Sequence, residues 1–338
     1  MMKIKTVILI TLLVLVVSIL PTMAQDEAAQ TNKQMLRTAL DELAGGNLQS
    51  LVDLYAETFL FGGVESASSD SIELILAAYG EGIPDLQIVP NILIAQDDWV
   101  AAHVTWTGTF TNTLRFEQDI PPTGETVNWT ELLFFRFNDE REIIEFWTVS
   151  DPTIQMIELG VMPSQESEPT GTALEEPAGY QLLSDDELDT TFTSGMEERN
   201  TELLQEQLSL GFGTFIQFYA DPYIEWNSGV PSSVTATDIQ QNAPFFELLS
   251  TAIPDQELTA DIIVAEGDWV AALGIFRGTF TEDINFFGTP LTHTDQEITF
   301  QVGVVDRYNA EGKIVEEFLE SDFSPLLRGL GLIPPTEG

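Results

Sequence analysis

The chain repeats itself, and this limits its fold more than any other feature. Ile94-Ala95-Gln96-Asp97-Asp98-Trp99-Val100-Ala101-Ala102 returns as Val264-Ala265-Glu266-Gly267-Asp268-Trp269-Val270-Ala271-Ala272, and Gly108-Thr109-Phe110-Thr111 returns as Gly278-Thr279-Phe280-Thr281. Upstream, Ile83-Pro84-Asp85 matches Ile253-Pro254-Asp255 at the same offset of 170 residues. Downstream the offset becomes 171, where Arg136 matches Arg307, Ser150-Asp151 matches Ser321-Asp322, and Leu159-Gly160 matches Leu330-Gly331. Solenoid units are far shorter, roughly 20–50 residues, so this period marks a duplicated domain. At 338 residues the chain accommodates two domains of ordinary size.

Each copy carries the same succession of patterns. Helical spacing comes first: Met35, Leu36, Leu40 and Leu43, then Leu48, Leu51, Val52 and Leu54, with Gly45-Gly46 between the two helices. The second copy offers Leu203, Leu204 and Leu208, then Phe215, Ile216 and Phe218. Tyr55 and Tyr219 fall late in this second helix, and a third helix fits Ser71–Tyr79 and Asp238–Leu249. After Pro84 the residues become β-branched and aromatic, giving strands at Leu86–Ile94, Trp99–Phe110, Val127–Phe137 and Ile143–Val149. Helices followed by hairpins predict an α+β fold, a bent antiparallel sheet packed against about three N-terminal helices. The expected division is a leader over 1–24, a first domain over 31–163, a linker rich in Pro, Glu, Ser and Thr over 164–180, and a second domain over 181–338.

Composition narrows the partners. There are 55 acidic against 12 basic residues, a net charge of -43. Nucleic acid is not expected, because binding it needs clustered cations to neutralise phosphates. Anionic membrane surfaces are disfavoured for the same reason, and the surplus reads as a solvated acidic surface. With no cysteine and only two histidines, His103 and His293 in different repeats, the chain lacks disulfides, thiolate ligands and a multi-histidine zinc site. No cofactor or metal is expected. Lys3 and Lys5 precede an apolar run from Val7 to Leu20, and Thr22-Met23-Ala24 supplies small residues for cleavage before Gln25. This predicts an export signal and a secreted or extracytoplasmic protein, with an uncleaved anchor as the alternative.

In this order and occurring twice, Ile-Pro-Asp-Leu, Asp-Trp-Val-Ala-Ala and Gly-Thr-Phe-Thr resemble the SnoaL-like polyketide cyclase family. So do Ile120-Pro121-Pro122-Thr123-Gly124 with Phe135-Arg136-Phe137, and the closing segments from Asp151 to Gly160 and from Asp322 to Gly331. The resemblance implies the cone-shaped fold of the nuclear transport factor 2 superfamily, with an apolar pocket, and a pairing of cones across their open sheet faces. Here that would be an intramolecular pseudo-dimer or a homo-oligomer. The family's cyclases remove a proton beside a carbonyl with a carboxylate and stabilise the enolate. Their last strand commonly reads Glu-His-Trp-Asp-x-x-Asp. This chain has Glu145-Phe146-Trp147-Thr148-Val149-Ser150-Asp151 and Glu316-Glu317-Phe318-Leu319-Glu320-Ser321-Asp322, so only the final Asp survives in both copies.

On that footing the catalytic candidates lie in the first copy: Asp151 or His103 as base, Glu131 as a pocket carboxylate, and Tyr55 as hydrogen-bond donor to an oxyanion. Each has a structural reading beside it. Asp151 and Asp322 suit helix N-caps, His103 suits a satisfied histidine, Glu131 faces either pocket or water, and Tyr55 and Tyr219 suit core aromatics. Candidate ligand contacts are Trp147, Phe135 and Phe146, with Tyr219 and Asp322 in the second copy. Arg277, Asp306 and Glu317 read either as an inward-pointing charged cluster able to orient a polar ligand group or as scattered surface charges. Two functions follow: an exported protein that holds a small hydrophobic molecule without turnover, favoured by the lost acids, or a cyclase or isomerase acting through the first copy.

Overall fold

The computed structural model describes residues 27–63, 65–116, 119–162, 172–173, 195–210, 215–227, 230–286 and 289–331. The leader and most of the linker lie outside the described residues. The first domain opens with helix α1 over 27–44, whose Ala29, Leu36, Ala39, Leu40 and Leu43 are buried at helical spacing. There follow α2 (Gln49–Val52), β1 (Tyr55–Phe61), β2 (Glu65–Ser68), α3 (Ser69–Gly82), β3 (Gln87–Gln96), β4 (Trp99–Thr109), the short hairpin β5 (Leu114–Arg115) and β6 (Asp119–Ile120), β7 (Thr126–Phe137), β8 (Ile143–Val149) and α4 (Pro152–Glu158). The sheet order is β2-β1-β8-β7-β4-β3.

After β9 (Thr172–Ala173), the second domain repeats this plan. It runs α5 (Met196–Ser209), β10 (Tyr219–Asn227), β11 (Val230–Val234), α6 (Ala236–Ala252), β12 (Glu257–Glu266), β13 (Trp269–Thr279), the hairpin β14 (Ile284–Phe286) and β15 (Thr289–Leu291), β16 (Glu297–Tyr308), β17 (Ile314–Ser321) and α7 (Ser324–Gly329). Its sheet order is β12-β13-β16-β17-β10-β11-β9. Two details depart from the sequence reading. Tyr55 and Tyr219 do not end a helix; each opens a strand, β1 or β10, that pairs in parallel with the last strand of its own domain. Aromatic and β-branched side chains in these runs favour that half-buried sheet position over a helix. Thr172–Ala173, within the expected linker, pairs with β11 and extends the second sheet.

The repeated motifs turn out to be clamps. Asp85 accepts from the backbone N–H and the hydroxyl of Thr109 at 2.6 and 2.8 Å, and Asp255 does the same for Thr279 at 2.7 and 2.8 Å. A Cβ on Gly108 or Gly278 would lie 2.4 or 2.3 Å from the methyl of Ile83 or Ile253, which accounts for glycine there. Asp98 holds Arg136 at 2.8 Å and Asp268 holds Arg307 at 2.7 Å. Each guanidinium lies over the tryptophan that opens the neighbouring strand, Trp99 or Trp269.

Alternation along each strand separates two apolar faces. In the first domain Val100, Ala102, Val104, Trp129, Leu133 and Phe135 face the helices. Ala101, Leu132, Phe134 and Val149 face the other way and meet Leu273, Val305 and Phe318 of the second sheet. The two sheets therefore pack face to face, helices outermost. The contact is pseudo-symmetric: Gln96 accepts from the backbone N–H of Ala265 at 2.8 Å, and its counterpart Glu266 accepts from that of Ala95 at 2.7 Å. Leu132 sits over Gly303, where a Cβ would come within 2.9 Å of it. Burying one side chain such as Phe134 contributes about 1.5–3 kcal/mol, which neither sheet would gain alone.

Candidate functional site

The helix-facing interiors of the two domains differ in chemistry. In the first domain Tyr55 packs on Phe59 at 4.7 Å and on Phe146 at 5.9 Å between ring centroids, and Phe135 stacks on Phe146 at 5.1 Å. The four form one filled aromatic cluster. Strand register and repeat offset place Tyr219, Tyr223, Glu317 and Asp306 in the equivalent positions of the second domain. Three apolar rings have thus become one phenol and two carboxyls.

These groups stand at the wall of a cavity of about 590 Å³ in the second domain. Its apolar lining includes Phe245, Leu249, Phe276, Phe300, Val302 and Leu326, from α6, the sheet and α7. Glu317 lines it, 5% exposed, and Asp306 lies behind, 0% exposed, directly across the β16–β17 ladder. Burial raises both carboxyls, and Asp306 raises Glu317 further by like-charge repulsion, to well above the usual carboxylate range. Their mutual hydrogen bond needs a proton on one of them. Tyr219 donates to Glu317 at 2.7 Å and accepts from Gln207 at 3.1 Å. Tyr223 donates to Glu225 at 2.7 Å, and burial lifts the Glu225 carboxyl too.

The candidates in the first copy are dispersed. Asp151 caps α4, accepting from the Thr153 N–H at 2.8 Å. His103 points into the interface between the sheets, because β4 alternation sets it opposite Val104; its Nε2 lies 3.1 Å from Glu320, and Thr130 donates to the same carboxylate at 2.5 Å. Asn91 Nδ2 lies 3.0 Å from His103 Nδ1 and donates to Thr105 at 2.9 Å. Glu131 faces the helices, half-buried, with Trp129 Nε1 donating to it at 3.4 Å, and desolvation pushes its carboxyl up to about 7. Tyr55 is buried against rings, and its hydroxyl is pushed well above its usual range. Trp147 donates to Glu145 at 2.9 Å beside the interface cluster. Asp151, His103, Glu131 and Tyr55 do not converge on one site.

In the second copy Asp306 and Glu317 meet as expected, but Arg277 does not join them. It is exposed, because the alternation that turns Phe276 into the cavity turns Arg277 outward. Asp322 accepts from the Ser324 N–H at 2.9 Å at the start of α7. Tyr223 and Glu225 escaped the sequence reading because the run around Pro222 lacks clear strand alternation. The signal that would have found the site was present: at offset 171, inward Phe135 and Phe146 face Asp306 and Glu317.

Fold and cavity define a class: a tandem pair of α+β domains, each a mainly antiparallel sheet packed under helices, the second enclosing a cavity. The profile of the SnoaL-like polyketide cyclase family matches residues 33–159 and 219–330, and the chain belongs to that family. Among solved structures it is similar to AclR from Streptomyces galilaeus, at 23% identity over 42% of this chain and 86% of that one, with a TM-score of 0.34. It is also similar to a SnoaL-like polyketide cyclase from Agrobacterium tumefaciens, at 22% identity over 38% and 98% of the two chains, TM-score 0.32. TsrD from Streptomyces laurentii gives 19% identity over 42% and 100%, TM-score 0.31. Comparison with curated proteins finds no match.

Proposed function

We propose that the second domain binds a small hydrophobic molecule and transfers a proton beside its carbonyl, while the first domain serves as a packed partner. One observation carries the reading: a buried carboxyl pair, Glu317 with Asp306, at the wall of a largely apolar cavity. Glu317 is the acid–base group, since it alone of the pair lines the cavity. Asp306 sets its proton affinity, and Tyr219 orients the carboxyl. A carboxyl whose proton affinity is raised by burial and a like-charged neighbour is a stronger base than one in water, as general acid–base catalysis requires. Binding without turnover rests on the same cavity.

Native mass spectrometry of the purified full chain, incubated with a cell extract, should show a retained small molecule. In D2O its hydrogens next to the carbonyl should exchange on the protein, and Glu317→Gln should slow this by about 10²–10⁴-fold, the usual contribution of a general base. Equal exchange in the variant would remove the catalytic reading and leave binding. Export belongs to the same proposal. Secreted material should begin near Gln25, whereas intact Met1 would indicate an anchor.

A further inference from the structure

The cavity wall is one-sided in charge. Its ionisable groups are Glu225, Glu257, Glu317, Tyr219 and Tyr223, and no Lys, Arg or His is among the described lining residues. Arg199 acts on Tyr308 behind the wall. Its guanidinium is bonded to the carbonyls of Asn309 and Ala310 and to Asn200. A ligand carboxylate or phosphate would meet three acids and no counter-ion.

Hydrogen-bonding capacity is skewed in the same direction. Gln207 lines the cavity and is 7% exposed; its Nε2 donates to Tyr219, whose own proton goes to Glu317. That chain of donors fixes the amide orientation and leaves Gln207 Oε1 as a buried acceptor without a partner. Gln256 also lines the cavity, and its Oε1 is a second buried acceptor without a partner. Both of these open positions in the wall are acceptors. The remaining surface is aromatic, with Phe245, Phe276, Phe300 and Phe323 presenting rings to the enclosed space. Carboxyls combined with aromatic faces favour an organic cation. A metal ion fits poorly, since no group of three acidic or histidine side chains among the described residues is arranged to hold one.

We infer that the molecule held in the second domain is a hydrophobic amine, its protonated nitrogen set against Glu225 and Glu317 and its apolar body among the phenylalanines. This deepens, and rests on, the reading of the cavity as a binding site for a hydrophobic molecule. The ammonium compensates the carboxyl pair, which then releases the proton it shares when the cavity is empty. The net charge of -43 draws cations towards the protein in the same sense.

The test is calorimetry on the full chain with three probes sharing one skeleton: 4-phenylbutylamine, 4-phenylbutan-1-ol and 4-phenylbutyrate. The amine should bind on the order of tenfold more tightly than the alcohol, as expected for a desolvated cation–π or charge-assisted contact, and the acid least tightly. In buffers of different ionisation heat, only the amine should release protons. The advantage should persist in high salt, which screens surface charge, and should shrink in Glu225→Gln. Equal binding of amine and alcohol would overturn the inference while leaving the hydrophobic site intact. Tightest binding by the acid would overturn it as well. An amine advantage that vanished in high salt, or was unchanged in both Glu225→Gln and Glu317→Gln, would assign the effect to the acidic surface and overturn it. Failure of all three probes to bind would overturn both readings.

Discussion

Replacing Glu131 with Gln should stabilise the protein above pH 7 and leave it nearly unchanged at pH 4.5. The carboxyl sits inside the packed first domain beside Trp129, and desolvation is the largest cause of its rise from 4.5 to about 7. A group with raised proton affinity in the folded state favours folding below its unfolded value. That contribution fades as pH rises through the folded value and is gone above it. The wild-type protein therefore bears the cost of an ionised, poorly solvated carboxylate at pH 8. The full shift corresponds to about 3 kcal/mol, reduced to roughly 1–3 kcal/mol because the residue keeps some access to water. Gln matches Glu in shape, stays neutral, and can still accept from Trp129. Urea unfolding of both proteins at pH 4.5 and pH 8 measures the difference. A destabilising effect of Gln at pH 8, or an effect independent of pH, would refute the reasoning. It would show that Glu131 is ionised and well partnered in the native state.

Three further outcomes follow from the interface and the caps. His103→Leu, which installs its counterpart Leu273, should cost about 3 kcal/mol by stranding Glu320; adding Glu320→Val, the counterpart of Val149, should recover most of it, as thermal unfolding can check. A double variant no better than the single one would separate the two residues energetically. Asp151→Asn should be nearly silent in thermal unfolding and Asp151→Ala should cost about 1 kcal/mol, whereas a large loss with Asn would point beyond capping. The second half expressed alone, residues 181–338, exposes Phe318, Leu273 and Val264, so sedimentation should find it self-associated; a soluble monomer would show that this face tolerates water.

Much of the architecture was legible because duplication writes each structural constraint twice. Asp85 with Thr109, Asp98 with Arg136, and Gly108 under Ile83 all recur at an offset of 170 or 171 residues, and each proves to be a clamp of the fold. The same logic misdirects a search for function. Residues shared by the repeats, such as Asp151 and Asp322, stand out in the sequence, yet Asp151 caps α4 and Asp322 accepts the Ser324 N–H at the start of α7. The residues that make the two interiors different, Asp306 and Glu317 against Phe135 and Phe146, stand out only when strand register shows that all four point the same way.

The sequence alone determined that there are two α+β domains of one family, an acidic chain, and the positions of the main strands. These follow from local periodicity, turn residues and composition, each read within a short stretch of chain. Only the tertiary structure decided which apolar face meets the helices and which meets the other sheet. That depends on contacts between residues some 170 positions apart, such as Gln96 with Ala265. His103 was thereby placed in an interface rather than a pocket, and Arg277 in solvent. The hollow was placed in the second domain, where Glu317 stands at the wall in the position that Phe146 holds in the aromatic cluster of the first.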